Sequence, residues 1–197
     1  SAQVVVAPVR AIDCTDRLWV SIRNAFSSVY GSCRFPSDSM APVNVNAAVE
    51  SAVILVSNMV HKSTERFRVD CGGPLPPVLG NRQRIEQVVI NLIQNACQSL
   101  SSRARGIFVQ TSYSPKSNEV LVEVRDEGKG IPEEDLRHLG DPFFTTKRTT
   151  GGMGLGLWVS CSIAHDHGGR LAFESKPEEG TRALFSLPAI KQSDSPE

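Results

Sequence analysis

The sequence predicts one α+β domain, and three observations support this fold class. The chain has 197 residues, of which 40% are hydrophobic and 21% are charged, an ordinary composition for a globular protein with one sizeable core. Apolar residues recur at helical spacing across 82–100. Short strand-like runs lie on either side of loops rich in turn residues, at 107–113, 120–125, 171–175 and 181–187.

The first 42 residues are expected to lie outside this core. Apolar residues recur there at alternating intervals of three and four, which predicts one long amphipathic helix within 1–35. Its apolar side packs either on the domain itself or on a partner helix. Residues 36–42 are polar and bounded by prolines, which is typical of a linker. The helical pattern consists of Ile12, Thr15, Trp19, Ile22, Phe26, Val29 and Cys33.

Short elements follow the linker. Residues 43–45 predict an edge strand, with Asn46 as the N-terminal cap of a helix that buries a valine-rich face. Residues 66–70 predict a strand, and the run of glycines and prolines at 72–77 predicts a stiff loop. At the other end of the chain, the polar residues 191–197 predict a disordered tail.

The helix predicted at 82–100 carries an unusual polar face. Solvated helix faces usually carry Lys and Glu, whereas this face carries amides, and asparagine is a mediocre helix former. Asn91 and Asn95 lie one turn apart, which indicates amides held for a ligand; a solvated face is the alternative. The amide side chains are Gln87, Asn91, Gln94, Asn95 and Gln98.

Two glycine clusters complete the set of motifs. The first, at 126–131, follows a strand-like run, and the second, at 151–157, opens an apolar helical run. Backbone amides freed by glycine at a helix start form a phosphate cradle. The clusters match neither the dinucleotide fingerprint nor a P-loop, because no Gly-Lys-Ser/Thr follows the glycines.

Composition excludes several other classes of function. The 21 basic and 21 acidic residues leave no net field that favours nucleic acid or a membrane surface. The sequence shows neither an apolar run of membrane-spanning length nor a signal peptide. The five cysteines are scattered without a CxxC pair, which suggests neither a zinc site nor a disulfide framework. We therefore expect a cytoplasmic chain with reduced thiols, whether or not a longer parent protein is anchored in a membrane.

Four motifs resemble, in order and spacing, those of sensor histidine kinases. Residues 91–96 resemble the N box, 126–131 the first glycine box, 141–147 the F box and 152–157 the second glycine box. The resemblance implies the GHKL (Bergerat) fold, a two-layer α/β sandwich in which helices back a mixed sheet and ATP binds under a mobile lid. It further implies that this kinase domain occupies 43–190 and follows the second helix of a dimerisation hairpin.

The resemblance also implies how the base of ATP is held. Asp126 would accept a hydrogen bond from the adenine amino group; a turn-forming aspartate is the alternative. Gly128 and Gly130 would let the backbone approach the base, Ile131 would pack on its face, and Thr181 would contact it, often through water.

At the phosphate end, the resemblance implies that Asn95 is a ligand of Mg²⁺ and that Asn91 shapes the phosphate site. Lys147, in the lid, would reach the terminal phosphate as a point charge. The other positions implied to line the nucleotide site are Phe143, Phe144, Gly152, Gly154, Leu155 and Gly156.

Asn91 also indicates whether the site transfers the terminal phosphate of ATP or hydrolyses ATP. GHKL relatives that hydrolyse ATP carry at this position a glutamate that activates water, and an amide cannot act as that base. We therefore expect a site that binds ATP and presents its terminal phosphate. The phosphoacceptor histidine is expected outside this chain, because none of its four histidines lies in an acceptor context: His61, His138, His165 and His167.

The predicted function is therefore that of the ATP-binding catalytic domain of a sensor histidine kinase. The expected partners are ATP, a phosphoacceptor histidine domain and a response-regulator receiver domain, with a homodimer in the full-length protein. Gln87, Val88 and Gln98 resemble the nitrogen-regulation branch. Two alternatives stay open: an anti-sigma-factor-type serine kinase, which Asn91 opposes, and a non-catalytic nucleotide-binding module, which the intact motifs oppose.

Overall fold

A mixed β-sheet backed by helices forms the body of the protein in the computed structural model, which describes residues 12–13, 39–141, 143–144 and 154–191. This arrangement confirms the predicted fold class. The strands are β1 (Ile12–Asp13), β2 (Ala41–Val43), β3 (Arg66–Cys71), β4 (Val78–Gly80), β5 (Gly106–Ser114), β6 (Glu119–Asp126), β7 (Arg170–Lys176) and β8 (Gly180–Pro188). The helices are α1 (Val45–Ser63), α2 (Arg82–Ser99), α3 (Glu133–Leu136) and α4 (Gly156–Asp166).

The main sheet has the strand order β1-β7-β8-β6-β5-β3. Strand β3 is parallel to β5, and the other neighbouring pairs are antiparallel. Strands β2 and β4 form a separate two-stranded ribbon. The strands predicted at 66–70, 107–113, 120–125, 171–175 and 181–187 lie in the main sheet. The edge strand predicted at 43–45 is wrong in its bounds, because β2 covers Ala41–Val43, belongs to the ribbon and is followed by a helix from Val45. The apolar run of β4 is too short to be predicted from sequence.

The core lies between the sheet and the helices, as the two hydrophobic periods predict. Along β6, Val120, Val122 and Val124 point to the same face and are buried, as period-two alternation requires. Helix α2 buries one stripe that includes Ile85 and Val89. Each such side chain stabilises the fold by about 1.5–3 kcal/mol, so α2 is held chiefly by its apolar face.

The opposite face of the sheet carries ion pairs. Arg182 contacts Glu123 at 2.7 Å and Glu174 at 3.0 Å, and Arg170 contacts Glu119 at 3.1 Å. The hydrogen bonds that Arg182 donates to Glu123 and to Glu174 raise the pKa of its guanidinium. This face is therefore a solvated surface, and the predicted site residues lie elsewhere.

Two predictions at the N-terminal side need correction. Helix α1 is capped by Asn44, whose side chain accepts a hydrogen bond from Ala47 N at 3.2 Å, and not by Asn46. Asn46 instead accepts from Thr111 at 2.6 Å and donates to the Gly72 carbonyl at 3.0 Å. The helix begins at Val45, two residues earlier than a cap at Asn46 requires, so the Asn46 side chain is available for this long-range contact.

The predicted N-terminal helix and linker are also wrong at Ile12–Asp13 and Ala41–Pro42, which form strands in the structure. Ile12–Asp13 form a strand that pairs with Phe173 and Ala172, which supplies a partner to a sheet edge that would otherwise be open there. Ala41–Val43, at the end of the predicted linker, pair with β4. The rest of the predicted helix and linker, residues 1–11 and 14–38, and the tail from 192 lie outside the described residues.

His167 joins the end of α4 to the start of α2. Its Nδ1 lies 2.7 Å from the Ile163 carbonyl, and its Nε2 accepts a hydrogen bond from Asn81 N at 3.0 Å. A carbonyl only accepts and an amide only donates, so the ring is the neutral Nδ1–H tautomer. Asn81 caps α2 by accepting from Arg84 N at 3.1 Å. His167 thus anchors the helix that carries the amides.

We predict that His167→Ala lowers the free energy of unfolding by about 1–3 kcal/mol, because the Asn81 amide loses its buried partner. Urea unfolding followed by circular dichroism measures this change. His61→Ala, at an exposed position on α1, is the matched control and should shift stability by less than about 0.5 kcal/mol. Equal unfolding midpoints for both variants would show that the His167 contact does not hold the helices together.

Candidate functional site

One face of α2 lines up the polar residues of the site. Asn91, Asn95 and Ser99 follow each other at intervals of four residues, so they share a face and span about 12 Å along the helix axis. All three side chains are half-buried. The first glycine cluster meets the Ser99 end of this line, and the second meets the Asn91 end.

At the Ser99 end lies Asp126, the last residue of β6, with only 5% of its surface exposed. Its Oδ1 accepts hydrogen bonds from Gly128 N at 2.8 Å and from Ser99 Oγ at 2.7 Å. A buried carboxylate held by donors is a fixed hydrogen-bond acceptor. Asp126 therefore has the chemistry to select a ligand group that donates.

The glycines of the first cluster are required by packing. A Cβ on Gly128 would overlap Ser99 Oγ and lie 2.7 Å from Asp126 Oδ1. Gly130 has φ of +67°, and a Cβ there would overlap the Lys176 carbonyl. The two glycines thus press the loop against α2 and against the β7–β8 hairpin. Their predicted approach to an adenine base stays a prediction.

Ile131 and Thr181 are brought beside Asp126 by the hydroxyl of Ser175. Thr181 pairs directly with Asp126 across β8 and β6. Ser175 Oγ accepts from Ile131 N at 2.9 Å, donates to the Gly180 carbonyl at 2.8 Å and contacts Thr181 Oγ1 at 2.9 Å. Since the single Ser175 proton is directed at a carbonyl, Thr181 is the donor in the last pair.

At the other end of the line, Asn91 holds the start of α4. Its Nδ2 donates to the Gly156 carbonyl at 3.2 Å and to Ser160 Oγ at 3.1 Å. Leu155 precedes this helix without a side-chain cap bond. Among the described residues, a Cβ on Gly156 would meet no atom closer than 3.9 Å, at Asn91 Cγ. The first turn of α4 has backbone N–H groups without partners inside the helix, which suits an anion.

Asn95 lies between these two ends. Its side chain makes no hydrogen bond within the described ranges, although it is half-buried. An amide oxygen is a suitable ligand for Mg²⁺, which takes few protein ligands and completes its shell with water and phosphate oxygens. In the same ranges, no group of three or more His, Cys, Asp or Glu side chains is placed to hold a metal ion.

The F-box residues contact the second glycine cluster. Gly154 has φ of +68°, and a Cβ there would lie 2.6 Å from the Phe143 carbonyl carbon and 2.7 Å from the Phe144 oxygen. Phe143 is exposed, whereas the Phe144 ring packs against the His138 ring, with centroids 5.4 Å apart and the ring planes tilted by 37°. Lys147 and Gly152, which complete the predicted phosphate side, lie outside the described residues.

Two of the described cysteines are protonated thiols. Burial raises the pKa of Cys71, and nearby Glu50 and Asp70 raise it further. Burial likewise raises the pKa of Cys97, on the core side of α2. Both groups are therefore neutral thiols near pH 7, and a thiolate nucleophile is excluded at these two positions.

The structure thus brings together most of the predicted site residues that it describes, and it adds three serines. Ser99 had a detectable signal, because it continues the four-residue spacing of Asn91 and Asn95. Ser160 and Ser175 had none, since isolated serines occur throughout the chain and only the fold brings them to the site.

Comparison with known proteins identifies the family. Residues 80–191 match the family of histidine kinase-, DNA gyrase B-, and HSP90-like ATPases. A putative sensor protein of Shewanella frigidimarina is 35% identical over 153 residues, which cover 77% of this chain and 23% of that protein. The sensory histidine kinase/phosphatase NtrB of Azospirillum brasilense is 38% identical over 133 residues, covering 60% and 32%. Relatives from the nitrogen-regulation branch are therefore among the matches.

The solved structures agree with this result. The catalytic domain of the histidine kinase ThkA shares 32% identity and a TM-score of 0.67, covering 76% of this chain and 95% of the ThkA domain. The chain spans about a third or less of the length of the curated relatives described above. Among the described residues, no helix is both long and apolar enough to span a membrane. The chain belongs to the histidine kinase-, DNA gyrase B- and HSP90-like ATPase family and is the ATP-binding catalytic domain of a sensor histidine kinase.

Proposed function

We propose that this domain binds Mg-ATP along α2 and presents the γ-phosphoryl group to a histidine of a phosphoacceptor domain, from which it passes to an aspartate of a response-regulator receiver domain. The observation that carries the proposal is the ordered line along one helix face. A buried carboxylate lies at one end, uncapped helix amides lie at the other, and Asn95 lies between them.

The carboxylate end accounts for the choice of base. Asp126 can only accept hydrogen bonds, so it favours a base with an amino group at the facing position and disfavours one with a carbonyl there. Thr181, directly opposite, keeps its oxygen as an acceptor after donating to Ser175. Both groups favour the amino edge of adenine.

The amide end accounts for the phosphates. The first turn of α4 would hold phosphate oxygens through its N–H groups, and Asn95 would hold Mg²⁺. The ion would neutralise charge on the phosphates. Lys147, in the predicted lid, would add a positive charge at the terminal phosphate.

The same end lacks a group that could activate water. Asn91 occupies the position of the general base in hydrolysing relatives, and its Nδ2 is used to hold Gly156 and Ser160. Phosphoryl transfer needs mainly positioning and charge neutralisation, so the acceptor histidine can supply the nucleophile. The arrangement therefore favours transfer over hydrolysis.

We further propose that the heptad-like pattern within 1–35, beyond the Ile12–Asp13 strand, supplies the second helix of a dimerisation hairpin in a homodimeric full-length protein. The acceptor histidine would then lie outside this chain. The spacing of Trp19, Ile22 and Phe26 supports this proposal.

The decisive experiment supplies the acceptor as a separate polypeptide. The chain is incubated with γ-labelled ATP, Mg²⁺ and a dimerisation hairpin of a relative that carries its phosphoacceptor histidine. We expect acid-labile label on the hairpin and none on the chain. A hairpin with that histidine replaced by Gln is the control. Label on His165, or ATP hydrolysis at about 1 per second or faster, would contradict the proposal.

We predict that Asp126→Asn weakens ATP binding by about 1.5–3 kcal/mol, because an amide replaces a charged acceptor at the base. Titration calorimetry with the intact chain measures the change. Asp70→Asn, at an exposed position on β3, is the matched control and should bind ATP like the parent. Tight ATP binding by Asp126→Asn would exclude Asp126 as the base acceptor.

We also predict that Asn95→Ala removes most of the Mg²⁺ dependence of ATP binding. With Mg²⁺ present, we expect the affinity for ATP to fall roughly 10–100-fold. Losses of this size are typical when a residue that supports a metal ligand is replaced. Titrations with ATP in the presence of Mg²⁺ and in the presence of EDTA separate the contribution of the metal to ATP affinity from the contribution of the protein contacts. Asn58→Ala, on the exposed side of α1, controls for loss of a helical asparagine. The ligand assignment fails if the variant and the parent respond equally to Mg²⁺.

A further inference from the structure

Ser99 connects the amide helix to the base end of the site. It lies one turn beyond Asn95, and its Oγ is 2.7 Å from Asp126 Oδ1. We infer that Ser99 is a positioning residue that orients the Asp126 carboxylate toward the amino group of adenine, and so sets how strongly the domain prefers that base. The inference rests on the proposed ATP-binding function.

The first step is to follow the Ser99 proton. The hydroxyl oxygen lies 2.7 Å from Asp126 Oδ1 and 2.8 Å from the Ala96 carbonyl oxygen, and both of these groups only accept. A hydroxyl has a single proton, so the two acceptors compete for it. A hydrogen bond to a carboxylate is about twice as strong as one to a neutral acceptor. The proton is therefore directed to Asp126.

The second step is the orientation of the carboxylate. Gly128 N donates to the same Oδ1 at 2.8 Å. Two donors from different directions fix one oxygen, and through it the plane of the whole group. A carboxylate offers about four acceptor positions, so these two bonds orient Asp126 without exhausting its ability to accept. The carboxylate thus keeps a fixed direction for a further donor.

The third step is that Ser99 also fixes the loop. Its backbone carbonyl accepts from Lys129 N at 3.1 Å, and the Lys129 carbonyl accepts from Glu178 N at 2.8 Å. One residue at the end of α2 therefore holds both the carboxylate and the turn that carries it. This coupling ties the base end to the same helix that carries Asn95.

A purely structural role for Ser99 leads to a different expectation. If the hydroxyl only closes the end of α2, its loss should lower stability and weaken every nucleotide alike. If it orients Asp126, its loss should weaken a nucleotide with the amino group and spare one without it. Discrimination between two such nucleotides therefore separates the two roles.

The test compares ATP with purine riboside 5′-triphosphate, which lacks the amino group, in titrations of the intact chain. We expect the parent to prefer ATP by roughly tenfold or more. Ser99→Ala should reduce that preference by about three- to tenfold and leave binding of the purine analogue within about twofold. Ser57→Ala is the matched control. Ser57 Oγ donates to the carbonyl three residues earlier, at 2.8 Å, as Ser99 can, but this bond does not involve a carboxylate.

A double-mutant cycle completes the test. In an Asp126→Asn background, Ser99→Ala should leave the preference unchanged, because the group that it orients has been replaced. The inference is overturned if Ser99→Ala keeps the parental preference, weakens both nucleotides equally, or acts as strongly without Asp126. A parent chain that binds neither nucleotide would instead refute the proposed function itself.

Discussion

Burial of the apolar stripe of α2 is the interaction on which the site depends. Ile85, Val89 and their neighbours are excluded from solvent between α1 and the sheet, so the helix cannot turn about its axis without exposing them. The polar line of Asn91, Asn95 and Ser99 is therefore held in one direction. The two ends of the helix are then secured separately, by His167 acting on Asn81 and by Ser99 acting on Asp126.

Local patterns in the sequence predicted α2, the strands β5 to β8 and the turn at Asp126, because helical period, strand alternation and glycine turns are properties of neighbouring residues. They did not predict that Asn44 rather than Asn46 caps α1, since the choice depends on Thr111, far along the chain. The strand at Ile12–Asp13 exists only because β7 offers an open edge. Ser175 was missed for the same reason, as its partners come from two segments, at Ile131 and at Gly180–Thr181, that are far apart in the chain.

In the proposed function, Asn91 is the residue that favours presenting a phosphate over hydrolysing ATP. A glutamate there would bring a base, whereas the asparagine brings an amide donor that fastens α4 to α2. On this proposal, Asn91 both lacks the proton acceptor of a general base and links α2 to α4 beside the proposed phosphate site.

The parallel pairing of β3 with β5 has a consequence for how the molecule folds. Parallel neighbours cannot be joined by a tight turn, and here the crossover between them contains α2 itself. Because parallel pairings across a long crossover form slowly, we expect α2 to dock on the sheet at the stage at which Arg66 pairs with Gly106. A nucleotide that binds the folded site and not the unfolded chain would therefore stabilise the whole fold against unfolding.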